Sequence, residues 1–265
     1  MSDLSYPKSK TNKVNRLGER GKYDCKTVHE IIASSPVLHV SFNTASPEDF
    51  PVILPMIGKL GSFENPSADL SEPLDLYLHG YVSSRIMNLA RSSTKENSSL
   101  KVCVCATKVD GLVLSLTPNS HSMNYRSSVV FGTVSLVTEL DEKLYAMKLI
   151  TEGVLAGRYE KTRVPPDGAE MSSTQILRVS IESASAKVRA GEPGDYDKDL
   201  KQEELLDRVW TGVIPMYTTY GEPQPSSYNR VKEVPEYISN YVKDTGDTER
   251  EYALAAITMD EAGTA

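Results

Sequence analysis

Cysteine is scarce in this sequence, which contains only Cys25, Cys103 and Cys105. Their odd number and uneven spacing do not suggest the disulfide framework of small secreted domains, so we expect a reducing compartment. Cys103 and Cys105 are two residues apart in a strand-like run and therefore share one face. They are either a redox or metal-binding pair or two small core residues, and the lack of a further cysteine favours the core.

Long apolar runs are also missing. No stretch approaches the roughly 20 residues that cross a bilayer, and the polar, basic N-terminus lacks the apolar centre of a secretory signal. The net charge is −7 and the isoelectric point is near 5.3. Nucleic acids and anionic membranes need a basic face, so we expect neither as a partner. These features predict a soluble, cytoplasmic protein.

The common catalytic signatures are absent. The sequence has no GxGxxG turn after a strand, no Walker loop, no GxSxG elbow, no HExxH and no CxxC. The four histidines show no ligand spacing, so no metal site is predicted. His29 and His39 are interpreted as structural, whereas His121 lies in a polar run that a ligand could order, and its role is left open.

The overall composition is that of an ordinary globular protein, with 39% hydrophobic residues. We predict an extended N-terminal arm over 1–22, a main domain over 23–220, and a C-terminal extension and tail over 221–265. The order of elements is short helix, several strands, helix, hairpin, long strand, helix and strand. Because this is not a regular βαβ alternation, it predicts a mainly β fold, an antiparallel barrel with peripheral helices.

Local patterns make this prediction more specific. Asp24 is a candidate N-cap for a short helix, and acidic residues begin a second helix over Leu140–Leu155. Asp110-Gly111 is a turn signal that predicts a β-hairpin between two strand-like runs. Gly132 interrupts a long β-rich run, and segment 58–73, rich in Gly, Ser and Pro, predicts a loop.

The most informative segment is LDLYLHGYVSSRIMNLAR, in which a strand over Leu74–Gly80 runs into a helix that begins near Ser83. The first N–H groups of a helix lack internal partners and carry the positive end of its dipole. The hydroxyls of Ser83 and Ser84 and the guanidinium of Arg85 would complete a phosphate cradle. Serine is also a common N-cap and arginine a common surface residue, so an ordinary helix start is the alternative.

This segment resembles the strand-to-helix junction of the FMN-binding split-barrel family. Pyridoxamine-phosphate oxidases have a Ser-Arg-Lys triplet there, and the shorter nitroimidazole-resistance proteins have a His-Gly and a Gly-x-Lys. Three further segments are similar in the same order, namely PVILPMIG, YRSSVVFGTVSLV and VWTGVIPMY; the last resembles the Trp-x-Gly-Val-x-Pro element of the nitroimidazole-resistance branch. The resemblance covers about residues 15–217 and implies an antiparallel split β-barrel that binds FMN.

The resemblance implies roles for the residues of the junction. Ser83 matches the serine of the triplet, Ser84 replaces its arginine, and Arg85 stands for its lysine as the cation that binds the FMN phosphate. His79 and Gly80 match the His-Gly pair beside the flavin. His79 is therefore the candidate catalytic residue, for substrate contact or proton delivery.

Other implied flavin contacts lie on two strands and near the end of the main domain. They are Leu54, Pro55, Met56, Tyr125, Arg126, Ser127 and Trp210. The backbone of the first three would edge the isoalloxazine ring, whose rim alternates donors and acceptors. Ser127 stands about where the oxidases have a glutamine, and Arg126 is the expected second cation because Ser84 replaces a basic residue. Trp210 either stacks at the flavin or anchors a hydrophobic interface.

The function that the resemblance implies is an FMN-dependent oxidoreductase. It would take electrons from NADPH or NADH, pass them to a small organic substrate, and form a homodimer with the flavin at the subunit interface. The residues that bind the substrate phosphate in the oxidases are not recognisable, so we do not expect the pyridoxamine-phosphate reaction itself. Two alternatives stay open: a flavin- or haem-binding protein without turnover, and a barrel that has lost its cofactor and serves as a scaffold.

Overall fold

The computed structural model describes residues 4–44, 50–96 and 98–264. The strands in these ranges are β1 (Gly21–Lys22), β2 (Leu38–Phe42), β3 (Val52–Met56), β4 (Gly58–Gly61), β5 (Asp75–Tyr81), β6 (Leu100–Leu114), β7 (Ser122–Leu136), β8 (Thr174–Arg189) and β9 (Gly212–Pro215). The helices are α1 (Cys25–Ala33), α2 (Arg85–Lys95), α3 (Leu140–Val154), α4 (Gly168–Ser173), α5 (Asp197–Leu200), α6 (Glu203–Arg208) and α7 (Glu236–Ala255). The helices hold almost as many residues as the strands, so the predicted mainly β character understates the helical part.

The strands form one antiparallel sheet in the order β3-β2-β6-β7-β8-β5-β4, with β1 added to β8 and β9 added to β6. The hydrogen-bonded path is open, with β3 at one end and β4 at the other. These two strands are consecutive in the chain and are separated only by Ile57. The sheet must therefore curve until its ends lie next to each other. The predicted antiparallel sheet is confirmed, and the split-barrel description stays a prediction because pairing does not close the sheet.

The chain divides into two compact units. The first comprises Met1–Arg16, Gly21–Thr107 and Ser127–Ala186, and the second comprises Leu17–Arg20, Lys108–Arg126 and Lys187–Ala265. The domain limits drawn from the sequence, 1–22, 23–220 and 221–265, stay predictions.

The first unit has two hydrophobic clusters on opposite faces of β5. Leu76 and Leu78 are fully buried in the larger cluster, which also takes in the apolar faces of α1 and α2. Tyr77, between them, packs in a smaller cluster with Ala146 and Ile150 of α3. This follows from the period of two along a strand, and it means that each side chain of β5 can be assigned to a face.

Two predicted helices are confirmed. Asp24 caps α1, because its carboxylate accepts a hydrogen bond of 2.7 Å from the Thr27 N–H. The second helix, α3, spans Leu140–Val154, one residue shorter than the predicted Leu140–Leu155. The predicted N-terminal arm is mostly irregular from residue 4 onward, and residues 4–16 are part of the first unit, where Tyr6 O–H contacts His29 Nε2 at 2.7 Å.

The predicted hairpin at Asp110-Gly111 is wrong. Strand β6 runs through both residues without a turn. Gly111 pairs with Pro215 of β9, and a Cβ at Gly111 would lie 2.8 Å from Val213 Cγ1. Asp110 is used in an ion pair rather than in a turn. Gly111 therefore allows β9 to pack closely against β6. The local sequence pattern does not distinguish a glycine needed for such packing from a glycine in a turn.

Three other local predictions also change. Strand β7 continues through Gly132 without a break. The predicted 58–73 loop begins with strand β4. Helix α7 occupies part of what the sequence predicted as a tail, and its Ala253 is buried. Within the described ranges, no helix combines the length and the apolar character needed to cross a membrane.

Gly132 gives a direct test of the sheet. A Cβ at this position would lie 2.3 Å from the Ser180 carbonyl oxygen, a backbone atom that cannot move alone. We expect Gly132→Ala to lower the free energy of unfolding by about 2 kcal/mol or more in urea denaturation. The control is Gly168→Ala, because a Cβ there meets nothing within 4 Å, and it should change stability by less than about 0.5 kcal/mol. Equal effects of the two substitutions would contradict this packing.

Candidate functional site

The strand-to-helix junction lies where the sequence predicted it. Strand β5 ends at Tyr81, and α2 begins at Arg85 with Ser84 as its N-cap. The Ser84 N–H donates to the Tyr81 carbonyl at 2.9 Å, which closes a tight turn between the two elements. The turn fixes the direction in which the helix leaves the strand.

The N-terminus of α2 has unused hydrogen-bond donors. Ser84 makes no side-chain cap, and the first helical bond is the one from the Asn88 N–H to the Ser84 carbonyl at 3.0 Å. Among the described residues, no partner accepts from the backbone N–H groups of Ser83 or of 85–87. Such a group of free amides at the positive end of a helix dipole is suited to an anion.

The side chains at the same point add to this character. Arg85 is exposed, and its guanidinium forms no ion pair within the described part of the chain. The Ser83 residue is exposed as well. The Ser84 hydroxyl oxygen is buried and has no hydrogen-bond partner among the described residues. The junction therefore offers one free cation and hydroxyl groups beside the free amides.

Gly80 marks where β3 and α2 meet β5. A Cβ at Gly80 would lie 3.1 Å from Met87 Cε and 3.8 Å from both Met56 Cε and Ser84 Oγ. The structure thus brings three predicted contacts, Met56, Gly80 and Ser84, together. Leu54 and Pro55 precede Met56 on β3. Within the described chain this end strand pairs only with β2, so the other edge of its backbone has no hydrogen-bonded neighbour strand.

His79 lies on the other face of β5. It pairs with Ile176, a member of the smaller cluster under α3, and it alternates with Gly80 and Leu78. Its Nδ1 atom is buried and lacks a partner among the described residues. His79 is therefore adjacent in sequence to the junction, but its side chain is not on the face where Gly80 meets Met56 and Ser84. Its catalytic role stays a prediction.

Arg126 belongs to the second unit, where it is already paired. Its guanidinium donates two hydrogen bonds to the Asp110 carboxylate, at 3.0 and 2.6 Å, and lies 3.4 Å from the centre of the Tyr252 ring. Glu249 of α7 lies 3.9 Å from the same guanidinium and also binds Lys108. Burial raises the pKa of Asp110, against the opposing effect of the adjacent Arg126. The positive charge of Arg126 is thus balanced by acidic side chains of its own unit.

The remaining predicted contacts are distributed over both units. Tyr125 is half-buried in the second unit, and Ser127 is half-buried in the first. Trp210, in the second unit, is 66% exposed and lies over Gly212, where a Cβ would approach its ring to 2.8 Å. Across the described residues, no group of three His, Cys, Asp or Glu side chains is arranged to hold a metal ion.

Sequence reasoning missed two polar residues of α2, Asn88 and Arg91. They follow Ser84 by four and seven residues and therefore lie on one face of the helix. Both side chains contact the turn before the helix. The spacing of four and seven residues after the N-cap is the sequence signal from which they could have been predicted.

The comparisons with known proteins agree with the geometry. A family model described as pyridoxamine 5'-phosphate oxidase matches residues 24–188, more than half of the chain. The chain belongs to this family. The match includes β3, the strand-to-helix junction and α2, so the predicted family membership is confirmed. No curated protein matches the sequence.

Two solved structures share the fold of this family member over most of its length. The flavocytochrome Anf3 from Azotobacter vinelandii is 24% identical, with a TM-score of 0.71, and the alignment covers 88% of this chain and 97% of that one. An FAD- and haem-binding protein from Mycobacterium smegmatis is 22% identical, with a TM-score of 0.68, over 84% and 97% of the two chains. At these identities the likeness establishes the fold.

The buried pair of Arg126 and Asp110 can be tested through stability. Asp110→Asn leaves the Arg126 guanidinium without its main counter-charge, and we expect a loss of about 3 kcal/mol in the free energy of unfolding. The control is Glu160→Gln, which breaks a pair with Lys148 whose two side chains are 64% and 52% exposed, and which should cost less than about 1 kcal/mol. A small effect of Asp110→Asn would mean that the charge of Arg126 is available for another partner.

Proposed function

We propose that this chain binds FMN and acts as an FMN-dependent oxidoreductase. Electrons would come from NADPH or NADH and pass to a small organic substrate. The observation that carries the proposal is the uncapped N-terminus of α2, with free backbone amides beside the unpaired cation of Arg85. Membership of the pyridoxamine 5'-phosphate oxidase family supports the same assignment.

The phosphate of FMN fits this helix start for two reasons. Its charge is opposite to that of the helix dipole and of Arg85, so hydrogen bonds from the amides and the guanidinium are charge-assisted. The Ser83 and Ser84 hydroxyls can donate further hydrogen bonds to phosphate oxygens. Ser84 in particular has a side-chain oxygen for which the protein supplies no partner among its described residues.

The ring would extend from the phosphate along β3. The spare backbone edge of this strand can bind the polar rim of the isoalloxazine at Leu54, Pro55 and Met56, and Gly80 leaves room beside Met56. A bound flavin supplies two-electron transfer between a reduced nicotinamide and an organic acceptor. His79, whose buried Nδ1 has no partner among the described residues, keeps its proposed role in substrate contact or proton delivery.

We propose a homodimer as the working form. Around β3, three large apolar side chains are left exposed: Phe50 is 90% exposed, Ile53 62% and Ile57 40%. A second copy of the chain would cover them and enclose the flavin beside the same strand. Tyr125, Arg126, Ser127 and Trp210 keep their proposed roles as flavin contacts.

A second candidate is a flavin- and haem-binding protein without turnover of its own. It is favoured by the two similar structures, a flavocytochrome and an FAD- and haem-binding protein. His121 fits a haem-iron ligand, because its exposed ring contacts the Thr117 carbonyl through Nδ1 at 2.8 Å. A proton on Nδ1 leaves the lone pair of Nε2 for a metal, the arrangement that ligating histidines usually have.

The purified protein distinguishes these candidates. The oxidoreductase should carry an extractable flavin whose visible band bleaches with NADPH or NADH under anaerobic conditions and returns when an acceptor is added. A Soret band that His121→Ala removes, together with a flavin that neither nucleotide bleaches, would favour the second candidate. A colourless protein that takes up neither group would contradict both.

Arg85→Ala tests the phosphate assignment. We expect it to weaken FMN binding about tenfold or more, because a charge-assisted contact is lost, while the melting temperature of the flavin-free protein stays close to that of the wild type. The measurement is flavin fluorescence quenching. The control is Lys95→Ala, which removes a cation from the last turn of the same helix and should change affinity less than about twofold. Unchanged FMN affinity in Arg85→Ala would contradict the assignment.

Ile53→Asp tests the proposed dimer. Burying an unpaired carboxylate in the interface is unfavourable, so sedimentation should detect a monomer at concentrations where the wild type is a dimer. The control is Leu254→Asp, which adds the same charge at another exposed aliphatic side chain, 43% exposed, in α7. A wild-type monomer, or a dimer in both variants, would contradict an interface at β3.

A further inference from the structure

The turn before α2 is held from the helix side by two side chains. The Asn88 amide donates to the Ser83 carbonyl at 3.0 Å. One terminal nitrogen of Arg91 donates to Asn88 Oδ1 at 2.8 Å, and the other donates to the Val82 carbonyl. The Val82 and Ser83 carbonyl oxygens are thereby bound by one connected pair of side chains, the clamp formed by Asn88 and Arg91.

This clamp determines which groups of the turn face the helix N-terminus. In a trans peptide the C=O and the following N–H point in opposite directions. With the Val82 carbonyl directed at Arg91, the Ser83 N–H is turned the other way, and it has no acceptor among the described residues. The clamp thus keeps a carbonyl oxygen, which would repel an anion, away from the side where the free amides lie.

Arg91 also brings a positive charge that no acid cancels. Its acceptors, an amide oxygen and a backbone carbonyl, are neutral. Within the described part of the chain Arg91 has no ion pair. Arg126, the second cation expected from the sequence, is paired with Asp110 instead. Arg91 is therefore the cation that the fold fixes against the turn itself.

We propose that Arg91, oriented by Asn88, is a positioning residue of the phosphate site. It holds the turn so that the Ser83 N–H is turned toward the phosphate, and its charge acts on the phosphate from the other side of the turn, which offsets in part the basic residue that the chain lacks at Ser84. This inference rests on the proposed flavin site at the N-terminus of α2. The ligand group is the phosphate next to the ribityl chain, which FMN and FAD share and riboflavin lacks.

Dissociation constants for FMN, FAD and riboflavin, measured by fluorescence quenching, test the proposal. In Arg91→Gln we expect the affinity for FMN to fall about tenfold and the affinity for riboflavin to change less than twofold, because the charge acts only on the phosphate. Arg91→Lys should recover part of the loss, since it keeps the charge but not the forked geometry. Lys95→Gln, on the exposed end of the same helix, is the matched control and should preserve the wild-type ratio.

Asn88→Ala separates the clamp from the charge. It removes the hydrogen bond to the Ser83 carbonyl but keeps Arg91, and it should lower the preference for FMN over riboflavin by a smaller factor. It also keeps the proposal testable if Arg91→Gln does not fold.

The outcomes are distinguishable. A wild type that prefers FMN to riboflavin, with the same preference in the Arg91 and Asn88 variants, would overturn this inference and leave the phosphate site in place. A wild type without that preference would overturn the proposed site and the inference together. Equal losses for FMN and riboflavin in the variants would identify Arg91 as structural only. The wild-type ratio of FMN to FAD affinity shows which nucleotide brings the phosphate.

Discussion

The position of Ile57 imposes the main constraint on the first unit. This single residue separates β3 from β4, yet the two strands end the hydrogen-bonded path at opposite sides. The sheet must curve to allow this, and the curvature brings the end of β3 beside β5. The contact is visible at Gly80, where a Cβ would lie 3.8 Å from Met56 Cε. The candidate site is assembled by this curvature and by no single sequence motif.

The start of α2 lacks a stabilising interaction that its sequence could form, the side-chain cap at Ser84. Ser84 occupies the N-cap position, where a serine side chain commonly contributes about 1 kcal/mol, but it makes no cap and its hydroxyl is unpartnered among the described residues. Asn88 and Arg91 meanwhile bind the carbonyls of the turn. Local rules that are broken in this way are expected at functional sites, because the unused groups are those that a ligand would bind.

The sequence predicted the features that depend on neighbouring residues. The cap at Asp24, helix α3 and the strand-to-helix junction at Ser84 all follow from short-range signals, and all are present. The site residues on β3 came from family resemblance, because the meeting of Met56 with Gly80 depends on sheet curvature.

Features that depend on distant partners were missed or misread. Asp110-Gly111 has the composition of a turn, but Gly111 packs against β9, far along the chain. The ion pair of Arg126 with Asp110, sixteen residues away on β6, was not predicted. Helix α7 is bound through Glu249 to Lys108, a contact that no local pattern in a polar extension reveals.

Binding of a flavin phosphate at the N-terminus of α2 would fix the ionisation state of that phosphate. The most direct measurement is the ³¹P NMR shift of FMN on the protein as the pH is varied from about 5 to 8, a range that brackets the second phosphate pKa of about 6. Free amides, the helix dipole and the unpaired arginines stabilise the dianion and lower that pKa. We expect the signal of bound FMN to stay at the dianion position over this range. A bound signal that titrates as free FMN does would contradict binding at this site.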